Sequence, residues 1–578
     1  MPAGTASQLF SVMTVDGERR TTTHAFGSGL SASRRPGTAR GDFKVMSSTR
    51  PARNRMGAAT AGGHESECRE ARWPYLALAA CAAVFFYLLL FHFSLLPIWR
   101  EGDESSYLDH AEHMLHGQGL YGDLFQFNLP GTDYLYYFLF RIFGLKIWVG
   151  HFALLIAFTA VTVLIYSLSR VVLRGTAALV PPVAFLAICQ RSAIDGTHHW
   201  YSTALVLFAI TFISKVRGSW QIGLAGAVLG VATLFTSTRG IFVATGVALF
   251  FVWELGNWRD ASKAIATLFV SFAAIVSAAL IYLSLLVGPR VLFNSIVVFP
   301  LRYYPAGAAN SFSIYYSGLQ TMLPSRVTFI LSVFQWLATN VALPLLLIAF
   351  AVKFFRSGSA ALRATRSNRA LVLYAFVSFF ALLPAAGAPS APRLNCALSF
   401  AYILGTVMLY GAGGRKLTAA ALAVVVVAGL AEMSAAILRP VSLVNGPRGA
   451  FASYISDRAD YFTWFVRNAH PGDLLFGDVD VNFLVGLENP ASVQWLERDA
   501  YTRPEQVSAL VSTLERRKTR FFVDDEEYGR GTEDNLQPIR DYLKQHYHFA
   551  QGHSDDPGII GDAPSCQVCA PVMIRNGM

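Results

Sequence analysis

Charge is scarce in this 578-residue chain: Asp, Glu, Lys and Arg together make up 15% of it, against 53% hydrophobic residues. A soluble protein carries about a quarter charged residues, so a wholly water-soluble fold is excluded. Cysteine is scarce too, at six residues, and their scatter excludes a disulfide framework. No Walker loop is present, nor a dinucleotide fingerprint in a strand–turn–helix setting, so a soluble nucleotide donor is not indicated. No internal repeat is evident. No cleavable signal peptide opens the chain, because the first apolar run comes too late and is too long.

What the chain has instead is a succession of apolar runs of about 18 to 25 residues, which define a polytopic α-helical membrane protein. Eleven spans can be drawn, at about 75–97, 147–170, 176–190, 200–214, 220–236, 240–256, 263–287, 328–352, 370–388, 394–412 and 416–438. The net charge of +10 is a topology signal and does not indicate nucleic acid. Arg170/Arg174, Lys215/Arg217, Arg259/Lys263, Lys353 to Arg369 and Arg415/Lys416 share one side with the basic N-terminal tail, and that side is cytoplasmic. An odd number of spans then puts the C-terminal segment outside, in the periplasm if the cell is a Gram-negative bacterium. The tail, 1–72, is rich in Ser, Thr, Gly, Ala and Arg and is expected to be disordered. Arg69 and Arg72 make the first span an uncleaved signal anchor, and Met46 and Met56 are alternative starts.

The expected architecture is an all-α membrane domain over 73–439 with a C-terminal extracytoplasmic α/β domain over 440–578. Two outer regions are too large to be simple connectors, a first loop at 98–146 and a second at 288–327. In the C-terminal domain DLLFGDVD and TRFFVDD read as buried strands, and EQVSALVSTLERRK and PIRDYLKQHY as helices.

The first outer loop carries the most chemistry. Tyr107, Leu108, Ala111, Met114 and Leu115 recur at helical spacing, leaving Asp109, Glu112, His113 and His116 on the opposite face. The expectation is an amphipathic helix lying on the membrane, ended by Gly117 and Gly119. Its acidic–His face is either solvated or a divalent-metal site on Asp109 and His113. Asp103 and Glu104 precede this helix at the mouth of the first span. Asp103 suits a helix cap, and also a general base within reach of an attacking hydroxyl.

The segment GDESSYLDHAEHML-HGQGLYGDLF-QFNLPGTDYLYYFLFRIFG resembles the first loop of the GT-C glycosyltransferases. It is most similar to the group holding protein O-mannosyltransferases, lipid A aminoarabinose transferases and rhizobial galacturonosyltransferases. The matching features are Asp103/Glu104, Tyr107, Ala111 to Leu115, Gly119 to Tyr121, Pro130 and Phe143/Gly144. Where many members have Lys-Pro-Pro, this chain has Asn128-Leu129-Pro130-Gly131. The resemblance implies a polyprenyl-phosphate sugar donor and assigns the catalytic base to Asp103, with Glu104 as its neighbour.

A lipid-phosphate donor requires outer cations, and Arg393, Arg239, Arg302 and Arg191 are the candidates, since Arg binds phosphate bidentately. Tyr107, Asp123, His198 and His199 are candidate substrate contacts. The His pair, next to Trp200, also suits a metal, a proton shuttle or an interfacial anchor. Tyr303, Tyr304, Tyr315 and Tyr316 either cover the site or belong to the interfacial aromatic belt. Cys566 and Cys569 are the only close cysteine pair, suited to a local disulfide or, with His546, His548 or His553, to zinc.

The expected function is membrane glycosyl transfer of a monosaccharide from a polyprenyl-phosphate donor to an acceptor hydroxyl on a lipid, glycan or protein. No cofactor is required by the sequence, with a divalent metal the one candidate. A transporter or flippase of a lipid-linked sugar is the alternative, although transporters set ionisable groups in mid-membrane and often repeat halves. A non-catalytic scaffold or sensor is a third class.

Overall fold

The structure, a computed structural model, describes residues 72–93, 95–100, 102–189, 195–215, 218–306, 330, 333, 336–385, 391–497, 501–523, 535–550 and 571–577. The basic tail, Arg191, Tyr315, Tyr316, Cys566 and Cys569 lie outside them.

Helix α1 (Trp73–Leu90) starts with Pro74 in its first turn, where a missing N–H costs nothing. It ends sooner than the apolar run does. Leu95 takes a left-handed φ of 63° and Pro97 disfavours helix at the residue before it, so the chain folds into a hairpin of β1 (Phe91–His92) and β2 (Leu96–Trp99). The span expected at 75–97 is thus helical only to Leu90.

The first loop supplies α2 (Asp103–Leu115) and α3 (Gly131–Phe143). The bundle follows as α4 (Ile147–Val172), α5 (Val180–Cys189), α6 (His198–Lys215), α7 (Ser219–Phe235), α8 (Ser237–Leu255), α9 (Trp258–Val287), α10 (Ala342–Ser357), α11 (Arg366–Leu382) and α12 (Ala391–Ile437). Among the described residues six helices are long and apolar enough to cross a membrane: α1, α4, α8, α9, α11 and α12. Helix α12 is broken at Gly414, whose φ of 64° and ψ of −158° are not helical. This chain is an integral membrane protein.

Phe86, Phe158, Phe185 and Trp200 are fully buried at the centre, with Phe86 and Phe158 stacked at 4.6 Å. One end of the bundle is tied by cations. Arg366 donates to the carbonyls of Ser214 and Lys215, Ser367 to that of Val171, and Arg369 pairs with Glu254. The 18 residues of α6 run from this basic end to His198 at the other.

The second outer region is partly helical: Pro289–Phe293, a π turn at Asn294–Val298, and Phe299–Arg302.

The C-terminal residues add β3 (Ser442–Gly446), β4 (Gly449–Ser453), α13 (Ser456–Asn468), β5 (Leu475–Phe476), α14 (Pro504–Arg517), β6 (Phe521–Val523), α15 (Gln537–His546), β7 (Tyr547–Phe549) and β8 (Val572–Arg575). The two expected strands and two expected helices are β5, β6, α14 and α15. One sheet has the order β5-β6-β8-β7. The other, β1-β2-β4-β3, is shared with the first loop: β2 and β4 run parallel, with Ile98 opposite Ala452 and Trp99 opposite Ser453. The C-terminal residues are therefore woven into the first loop and not merely set beside it.

That weave corrects the expectation for α2. Most of its polar face is covered by protein, and only His116 at its end stays exposed. Asp109 and His113 are each 3% exposed, because the C-terminal residues cover them. Gln494 donates to Asp109 at 2.7 Å and to the Ser106 carbonyl at 3.1 Å, Arg448 pairs with Glu112, and Ser105 bonds Asp480.

Candidate active site

Where α2 begins, the N-cap residue is Gly102, which has no side chain to cap with, and Asp103 does not cap either. The cap comes from Asp195, 92 residues on. Its two carboxylate oxygens accept the N–H groups of Asp103 and Glu104 at 3.0 and 2.8 Å. Those are orphan donors of a helix start, and the positive end of the helix dipole suits the carboxylate. A Cβ on Gly102 would strike the Asp195 carboxylate, so this close approach requires glycine.

Relieved of capping, the Asp103 side chain opens into a cavity of about 730 Å³, within the range of small-molecule sites. The residue keeps an exposed surface, and the protein packed around its carboxyl still desolvates it. Burial pushes its carboxyl above the ordinary carboxylate range, and the charge of Arg393 pulls it back. Asp195 is pushed well above that range by burial and then by the nearby Asp103 and Glu104.

Glu104 turns the other way. It is 2% exposed and absent from the cavity wall. Its Oε2 accepts the Gly196 N–H at 3.1 Å and its Oε1 lies 3.4 Å from His151 Nδ1. A Cβ on Gly196 would overlap the Glu104 carboxyl. The expected catalytic pair is split into one acid facing the cavity and one that holds the Asp195–Gly196 turn.

The remaining expected residues divide in the same way. Tyr107, His198 and His199 line the cavity. The Tyr107 hydroxyl and His198 Nδ1 are 2.5 Å apart, and the His198 and His199 ring centroids lie 3.9 Å apart with the rings tilted by 44°. Arg239 reaches the cavity, but its guanidinium donates to the carbonyls of His199 and Arg393 at 2.6 and 3.0 Å and to Ser202 Oγ at 2.7 Å. It binds α6, α8 and α12 together. Arg393 lines the cavity and donates to the Tyr304 hydroxyl at 2.7 Å.

Four residues fall elsewhere. Arg302 is exposed, lies over the Tyr303 ring and is outside the cavity wall. Asp123 is also outside it, its carboxylate accepting the Gly119 N–H at 2.8 Å to close a turn. Asp109 and His113 pair with each other at 3.6 Å beneath Gln494. Among the described residues no group of three or more His, Cys, Asp or Glu side chains is arranged to hold a metal.

Several cavity residues carry no sequence signal that singles them out. His110 and Gln126 line the cavity, and Asp133, which is not part of the wall, completes with them a buried cluster that converges only when α2, the following loop and α3 fold together. Glu497, Tyr501 and Gln494 enter from the C-terminal residues. His110 went unrecognised in the sequence as well, although its place seven residues on from Asp103, on one helix face, is a signal that could have found it.

No protein-family model matches the sequence, and no curated protein matches it. Solved structures do: the fold is the GT-C fold. The crystal structure of ArnT from Cupriavidus metallidurans bound to undecaprenyl phosphate matches with a TM-score of 0.57 at 12% identity, over 87% of this chain and 98% of that one. The apo structure of the same protein gives 0.57 at 13% identity, with the same coverage. An Archaeoglobus fulgidus oligosaccharyltransferase in complex with Zn and sulfate gives 0.47 at 14% identity, over 82% of this chain and 72% of that one.

Proposed function

We propose that this protein is a membrane glycosyltransferase that moves a monosaccharide from a polyprenyl-phosphate donor to an acceptor hydroxyl. The observation that carries the reading is the presence of Asp103 and Arg393 in the wall of one cavity: an acid freed from capping and a guanidinium whose charge acts on it. In the reaction the Asp103 carboxylate takes the acceptor proton as that oxygen attacks the anomeric carbon. The carbon–oxygen bond to phosphate breaks, with inversion, and the lipid phosphate leaves with its charge. Arg393, steadied by Tyr304, meets that charge, as transition-state stabilisation of a leaving phosphate requires. Arg239 acts on the site through the helices it binds together.

The ArnT structure with undecaprenyl phosphate supports a polyprenyl phosphate as the lipid. The charge bias of the loops supports a cavity facing the outer side of a bacterial cytoplasmic membrane, because Lys215 and Arg366 cluster at the opposite end of the bundle.

The test uses the full chain in nanodiscs. Undecaprenyl phosphate should bind saturably to the wild type and at least tenfold more weakly to Arg393→Gln, since a phosphate–Arg contact is charge-assisted. Envelope glycolipids and glycans from a deletion strain, compared by mass spectrometry, should lose one glycoform that Asp103→Asn fails to restore. A folded Asp103→Asn protein with near wild-type transfer removes Asp103 as base. Translocation of a lipid-linked sugar in proteoliposomes without glycosylation of any acceptor favours a flippase instead.

A further inference from the structure

The cavity face of α2 extends beyond Asp103. Asp103, Tyr107 and His110 stand at i, i+4 and i+7 and all line the cavity. His110 is 3% exposed, and its two ring nitrogens have different environments. Nδ1 lies 2.9 Å from Oδ1 of Asp133, a fully buried carboxylate. A carboxylate accepts only, so Nδ1 carries the hydrogen and donates it. Gln126 fixes that carboxylate, donating to Oδ1 at 3.1 Å and Oδ2 at 3.3 Å. The Gln126 carbonyl is itself held by the N–H groups of Phe127 and Asn128 at 2.9 and 3.0 Å.

Nε2 of His110 is buried and has no hydrogen-bond partner among the described residues. A buried ring nitrogen left unpaired is destabilising, and so calls for a partner. The hydrogen-bond partners of His110 fix its tautomer and ring through Nδ1, and Nε2, on a residue of the cavity wall, is left without one among the described residues. Asp103 is about two helical turns away, roughly 10 Å along the axis, which leaves room for a sugar ring between base and imidazole. Phe125 and Phe127, which flank Gln126 in the chain, supply aromatic wall in the same cavity, packed against Phe299 and Tyr304, a surface suited to the apolar face of a sugar. The lipid phosphate belongs at the Arg393–Tyr304 side.

The geometry points to His110 as a specificity-determining residue whose Nε2 hydrogen-bonds a hydroxyl of the transferred sugar, an inference that rests on the glycosyltransferase reading above. Asp133 and Gln126 are its positioning residues.

Two isosteric substitutions separate the nitrogens. His110→Asn keeps a donor where Nδ1 sits, so the Asp133 bond and the fold survive, and deletes only the unpartnered Nε2 side of the ring. His110→Gln keeps a polar atom near Nε2. The full chain in nanodiscs is titrated with undecaprenyl phosphate and with undecaprenyl-phosphate-linked hexoses, pentoses and uronic acids. The wild type should bind at least one sugar-bearing probe more tightly than the bare lipid phosphate. His110→Asn should lose about tenfold of that gain while its affinity for bare undecaprenyl phosphate stays within about twofold, and His110→Gln should recover part of it.

An undiminished gain in His110→Asn overturns the inference, as does an equal loss for bare and sugar-bearing lipid, or a wild type that gains nothing from any sugar. A loss seen only in the KM of the acceptor also overturns it, and reassigns His110 to the acceptor. A wild type that does not bind undecaprenyl phosphate at all sinks the glycosyltransferase reading itself.

Discussion

Asp195 caps the helix that carries Asp103, its two oxygens accepting the Asp103 and Glu104 N–H groups at 3.0 and 2.8 Å. The acid that does the capping is therefore not the acid that faces the cavity. Asp195→Ala should cost about 1–2 kcal/mol in thermal or denaturant unfolding, the usual value of a lost cap. Transfer should fall further than stability does, because Asp103 sits on the first turn that frays. Asp195→Asn keeps one acceptor oxygen and should retain most of the stability.

The acidic pair should separate cleanly in kinetics. Asp103→Asn removes a general base and should lower kcat by about a hundredfold or more. Glu104→Gln keeps an acceptor for the Gly196 N–H and touches no cavity, so it should lose no more than about tenfold. Equal losses in single-turnover assays would contradict the split.

Burial raises Asp103, and it must be ionised to accept a proton. Transfer should therefore rise with pH through the Asp103 titration, with its midpoint above the ordinary aspartate value. Arg393 lowers Asp103, so Arg393→Gln should move that acidic limb to higher pH as well as weaken lipid phosphate binding. The measurement is kcat/KM against pH for both proteins. An unmoved limb would mean that Arg393 does not act on Asp103.

Arg239 and Arg393 should differ in kind. Arg239, on α8, gives its donors to α6 and α12, and Arg239→Gln should destabilise by about 2–4 kcal/mol, since buried carbonyls and hydroxyls lose a charged donor. Arg393→Gln should shift the melting temperature far less and lipid phosphate affinity far more.

Gln494→Ala tests the roof. It strands the Asp109 carboxylate, 3% exposed, without its 2.7 Å donor. It should cost about 1–3 kcal/mol, and transfer should drop although Gln494 lies nearly 400 residues from Asp103 in the chain.

Local physics in the sequence reached far in this protein. Apolar run length predicted the bundle, and the acids after the first run predicted where the cavity lies. Single-span patterns also exposed the strands β5 and β6, which are continuous apolar runs. What stayed hidden is long-range pairing. Periodicity marks Asp109 and His113 as one polar face of α2 but is silent on Gln494, which covers them. Asp195 looked like an ordinary loop acid because its role depends on two N–H groups far back in the chain. Asp103 and Glu104 are adjacent and chemically alike, so only their surroundings decide which faces the cavity. Arg239 and Arg393 are equally alike as outer cations, and only their hydrogen bonds tell them apart.

The parallel pairing of β2 with β4 also sets a schedule. Ile98 cannot find Ala452 until about 350 further residues have been made, roughly 20–70 s of synthesis at about 5–20 residues per second. Throughout that interval the bundle is assembling around a first loop whose strand edge has no partner, and the polar face of α2 has no cover. Full seating of the base therefore waits on the late arrival of the C-terminal strands. A chain released before then would hold a membrane bundle and an acid, but not the cavity wall that Val493, Gln494, Trp495, Glu497, Tyr501 and Thr502 supply.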